Sequence, residues 1–97
     1  MKSTVNKNKP GIIYHKCIYE MICPSNQKEI LRIEKFLQHL GVQLHIDDGM
    51  MHRLLVSCTE AVNNAIVLGN KSDPDKEVII RCFVNKKILT ICVIDEG

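Results

Sequence analysis

The order of apolar runs predicts an α/β sandwich of the α+β kind. Its sheet is mixed or antiparallel and its helices lie on one face. Three observations carry this expectation. A loosely alternating apolar run opens the folded part at residues 12–23. Two segments of helical periodicity follow, at 26–40 and 49–68. Two β-rich runs, 77–84 and 88–95, come last, with Asn85-Lys86-Lys87 between them. The order strand, helix, helix, strand, strand stacks a helical layer on a sheet.

Each element has a local reason. Residues 1–11 are polar and basic (Lys2, Lys7, Lys9) and end at Pro10-Gly11, so they read as a disordered, solvated tail. In the first strand Ile13, Cys17, Tyr19, Met21 and Cys23 alternate with Tyr14, Lys16, Ile18, Glu20 and Ile22. Pro24-Ser25-Asn26 breaks it, and Asn26 with Glu29 forms a capping box. Ile30, Ile33, Leu37 and Leu40 make the stripe of the first helix, with Leu31 and Phe36 at its edge. Gly41 is expected to stop it, with His39 near that end to suit the helix dipole. After a short linker at 42–46, Asp47 or Asp48 can cap a second helix. Its core stripe is Met51, Leu54, Leu55, Cys58, Val62 and Ala65, and Gly69-Asn70 ends it. Residues 71–76 form a polar turn-rich loop, and Asn85-Lys86-Lys87 suits a tight hairpin.

Composition bounds the class. Ninety-seven residues, 45% hydrophobic and 25% charged, make one domain of ordinary globular type. A net charge of +2 is too small to argue for direct nucleic-acid binding. No apolar stretch is long enough to cross a bilayer, so no membrane role is expected. The five cysteines form no C-x-x-C pair and sit in apolar runs. They read as buried reduced thiols, which suits a reducing cytoplasm.

The chemistry lies in Glu60-Ala61-Val62-Asn63-Asn64-Ala65-Ile66 and in Asp95-Glu96-Gly97. Residues four apart on a helix share a face, with Cβ atoms about 6 Å apart, so Glu60 and Asn64 project together. Two adjacent asparagines are poor mid-helix residues and add nothing to helix stability. Asn64 offers a neutral oxygen to a Mg²⁺ that also binds nucleotide phosphates. Glu60 is placed to orient or deprotonate an attacking hydroxyl or water. Asp95 can accept a hydrogen bond from an adenine amino group, and Gly97 lets backbone approach the base. A solvated helix face and an ordinary strand-end carboxylate are the plain alternatives.

These motifs, E-A-V-N-N-A-I, then G-N-K, then V-I-D-E-G, resemble those of the GHKL (Bergerat-fold) ATPases. Within that superfamily the chain looks most like the anti-sigma factor serine/threonine kinases. The resemblance covers residues 12–97 as the amino-terminal part of such an ATP-binding domain, a partial Bergerat fold. It implies Mg-ATP as cofactor, a bound sigma factor, and phosphorylation of a serine on a STAS-type anti-anti-sigma partner. It implies Glu60 as catalytic base, Asn64 as magnesium ligand, and Asp95 with Gly97 as the adenine pocket. It also implies a homodimer.

Two departures stand out. Leu68 occupies a position where many relatives have histidine. The family's second glycine and phosphate-covering lid would follow Gly97. The chain as given is therefore expected to be a poor kinase and a weak nucleotide binder, with no cofactor held as one outcome. A non-catalytic dimerising or protein-binding module is the alternative, with strand 88–94 as an open edge. A sensor histidine kinase ATPase domain is a further branch carrying the same boxes.

Overall fold

The computed structural model describes residues 2–7, 17–85 and 88–97. The described residues form four strands and two α-helices: β1 (Lys2–Lys7), β2 (Cys17–Pro24), α1 (Ile30–Gln43), α2 (Asp48–Asn64), β3 (Glu77–Asn85) and β4 (Ile88–Ile94). The sheet order is β1-β4-β3-β2. β2, β3 and β4 are antiparallel neighbours, and β1 runs parallel to β4. The α+β class is as expected, and its helices and sheet share one core.

That core follows from strand alternation. Met21 and Cys23 of β2, Val78, Ile80 and Cys82 of β3, and Leu89, Ile91 and Val93 of β4 are all buried. The register sets them side by side, with Met21 opposite Ile80 and Ile80 opposite Val93. Side chains two apart share a sheet face. Ile33, Leu37 and Leu40 of α1 meet them, as do Leu54, Cys58, Ala61 and Val62 of α2. On the other face Arg81 pairs with Glu20 at 2.7 Å, and Thr90 and Cys92 are also buried.

Three expectations change. Within the polar opening run Lys2–Lys7 is a strand paired with β4, and residues 1 and 8–11 of the expected tail lie outside the described residues. β4 is therefore an inner strand: β1 satisfies the backbone groups that an edge would leave open. The opening strand is described from Cys17, so the part of that expectation at 12–16 lies outside the described residues. Gly41 does not stop α1, which runs on to Gln43. No glycine among the described residues has positive φ; His45 takes the left-handed conformation instead, at φ 55°. Gly41 lies where the two helices meet, and a Cβ there would displace the flexible Met51 Sδ.

The remaining boundaries agree closely. Asn26 accepts from the Lys28 N–H at 2.9 Å and opens a 3-10 turn, Gln27–Glu29, that leads into α1. Asp47 caps α2, its carboxylate accepting from the Met50 N–H at 2.9 Å. Asn85 pairs with Ile88, and the Lys86-Lys87 part of the expected hairpin lies outside the described residues. No helix among the described residues is long and apolar enough to cross a membrane.

Candidate functional site

The second helix positions three of the polar groups singled out above. Leu54, Cys58, Ala61 and Val62 recur at helical spacing and turn one stripe into the core. This leaves His52, Val56, Thr59, Glu60 and Asn63 on a flank facing Ile30 and Glu34 of α1. Together they line an open groove of about 650 Å³. Glu60 is exposed there. Asn63 is half-buried and its Oδ1 accepts from Gln27 Nε2 at 2.8 Å, which ties the start of α1 to the end of α2. Asn64 is half-buried and is the last residue of α2.

Beyond Asn64 the helix widens into a π-helical turn, Ala65–Gly69. Such turns are rare and often occur at functional sites. The widening is seen in its hydrogen bonds. The Asn70 N–H donates to the Ala65 carbonyl at 2.8 Å, and the Ser72 N–H donates to the Ile66 carbonyl at 2.7 Å. Lys71 and Ser72 follow in the left-handed region, at φ 54° and 56°. Two such non-glycine residues in succession hold a conformation that costs free energy, so surrounding contacts must impose it. Lys71 is exposed.

The Asp95-Glu96-Gly97 segment leaves β4 and packs on this turn. A Cβ at Gly69 would overlap the Asp95 carboxylate, and a Cβ at Gly97 would overlap the Gly69 carbonyl. The backbone contact requires glycine at position 97, and at position 69 an added Cβ would displace the Asp95 carboxylate. The Gly97 N–H donates to Asp95 Oδ1 at 3.1 Å, and Asp95 is half-buried. The structure therefore brings Asp95 and Gly97 against the turn that Asn64 opens. Glu60 stands one helical turn earlier, in the α1–α2 groove.

Asn70 is the residue that sequence reading undervalued. It reads as a helix stop, and it does end the π-helical turn, but it is also fully buried at 0% exposure. Its Oδ1 accepts from the Glu96 N–H at 2.7 Å, and its Nδ2 donates to the Glu77 carbonyl at 2.9 Å. The Glu96 carboxylate accepts in turn from the Glu77 N–H. A polar residue after a helix-ending glycine was the available signal, but its two long-range partners lie 7 and 26 residues away.

Among the described residues no group of three or more His, Cys, Asp or Glu is placed to hold a metal. Mg²⁺ bound with nucleotide needs few protein oxygens, and one neutral carboxamide such as Asn64 fits that need. No family model, curated protein or solved structure matches this chain.

Proposed function

We propose that this domain binds Mg-ATP at the end of α2 and belongs to a serine-kinase anti-sigma system of the GHKL type. One observation carries the reading: Asp95 and Gly97 pack against Gly69, at the far end of the π-helical turn that follows Asn64. A base-reading carboxylate and a magnesium-binding carboxamide would thus stand at the two ends of one helical turn.

In this reading Asn64 would hold the Mg²⁺ and Asp95 with Gly97 would take the adenine. The metal would neutralise charge on the phosphates during transfer. Glu60 would orient or deprotonate the attacking serine hydroxyl of a STAS-type partner. Its exposure leaves it accessible to a protein substrate. Catalysis of this kind is mainly positioning and electrostatics, so backbone donors around the phosphates limit the rate.

Calorimetric titration with Mg-ATP, Mg-GTP and metal-free ATP tests this directly. The wild-type chain should bind weakly, prefer ATP, and need Mg²⁺. Asn64→Ala should remove the Mg²⁺ dependence, and Asp95→Asn should weaken ATP by about tenfold or more. Binding that is indifferent to base, metal and both substitutions would overturn the reading.

A non-catalytic module is the second reading, favoured by the groove into which Glu60 opens. Its Ile30, Leu55 and Val56 side chains form an apolar floor that a partner protein could fill. Partner binding without any nucleotide response would select it.

A further inference from the structure

The clamp around Asn70 reaches beyond simple helix termination. Its carboxamide uses both ends on different strands: Oδ1 on the Glu96 N–H after β4, and Nδ2 on the Glu77 carbonyl at the start of β3. Its own N–H sets the width of the π-helical turn through the Ala65 carbonyl, and its carbonyl accepts from the Asp73 N–H at 3.0 Å. One buried side chain thus links the end of α2, the loop after it, and two strand ends. Glu96 lies between Asp95 and Gly97, so a bond to its N–H fixes the backbone on both sides of that residue. Gly69 supplies the complementary space by having no Cβ where Asp95 sits.

We infer that Asn70 is a positioning residue for Asp95, setting the base selectivity of the nucleotide site without touching the nucleotide. The inference rests on the ATP-binding reading above and adds a cause for its specificity. The acceptor half of the carboxamide governs recognition through Glu96. The donor half governs stability through Glu77. The two halves are separable by substitution.

Asn70→Asp keeps an acceptor for the Glu96 N–H and loses the donor to the Glu77 carbonyl. Asn70→Ala loses both. Both variants are expected to lower the urea midpoint, because each leaves a buried polar group unpaired. Only Asn70→Ala should lower the ATP-over-GTP preference, by about tenfold, the loss of one hydrogen bond to the positioned segment. It should also speed hydrogen exchange at the Glu96 amide, while Asn70→Asp leaves that amide protected. Gly69→Ala, which keeps Asn70 and crowds Asp95, should lose selectivity with the Glu96 amide still protected. That variant keeps the test informative if Asn70→Ala does not fold.

The outcomes separate the two claims. A wild-type chain that binds no nucleotide overturns the functional reading, and this inference with it. Wild-type binding with an unchanged ATP preference in Asn70→Ala, despite a deprotected Glu96 amide, overturns the positioning role alone. Equal loss of selectivity in Asn70→Ala and Asn70→Asp reduces Asn70 to a structural residue and also overturns it.

Discussion

Cys58 illustrates how a side chain that contributes only packing still acquires a pH signature. It lies in the apolar stripe of α2 among core residues, and burial pushes its thiol from 9.0 up to about 12. Cys23 is raised as well, first by burial and then by the nearby Glu29 charge. Below the pKa of the unfolded thiol, both states are protonated and the folded state keeps its full stability. Between that value and about 12 the unfolded chain ionises and the folded chain does not. Stability therefore falls as pH rises through this window, by about 1.4 kcal/mol per pH unit for one thiol. Urea midpoints at pH 8, 9 and 10 should decline for the wild-type chain and decline less steeply for Cys58→Ala. Parallel declines would remove Cys58 as the source.

At the level of elements, the α1–α2 contact depends on what Gly41 lacks. A helix-interior glycine ordinarily costs about 1 kcal/mol relative to alanine. The close approach of Met51 explains its presence here. Gly41→Ala should therefore be nearly neutral, since the gain in helix propensity offsets a shift of the flexible thioether. Gly41→Leu should destabilise by about 1–3 kcal/mol, because the added volume forces the helices apart. Adding Met51→Ala should recover part of that loss, as a double-mutant cycle of urea midpoints would register. An additive double mutant would mean the two residues do not share the contact. The same packing places α2, and with it Asn64 and the turn beyond, relative to the sheet that carries Asp95.

For the whole molecule, the sheet edges matter most. β1 pairs along β4 from Lys2 opposite Ile88 to Lys7 opposite Val93. Removing residues 1–7 would return β4 to an edge and leave its outward backbone groups unpaired. Faster hydrogen exchange at alternate β4 amides is the expected result, accompanied by a tendency to self-associate at high concentration. Unchanged exchange along β4 would show that the parallel pairing contributes nothing. The prediction reaches the candidate site, since Asp95-Glu96-Gly97 directly continues β4.

Local patterns in the chain account for much of this domain. The alternation in β3 and β4, the Asp47 cap and the stripe through Leu54, Cys58 and Val62 are short-range features. They can be read because strand and helix periods are set by neighbouring residues. The parallel pairing of a polar segment with β4, the role of Gly41 and the clamp made by Asn70 are not of this kind. Each depends on a partner brought close by folding: a strand some eighty residues away, a methionine on another helix, or the N–H of Glu96. A backbone edge accepts many sequences, and a glycine or asparagine at a helix end looks the same whether or not a distant group needs it. Packing supplies that distinction, because only in three dimensions does Gly69 make room for Asp95 and Asn70 hold the chain that carries it.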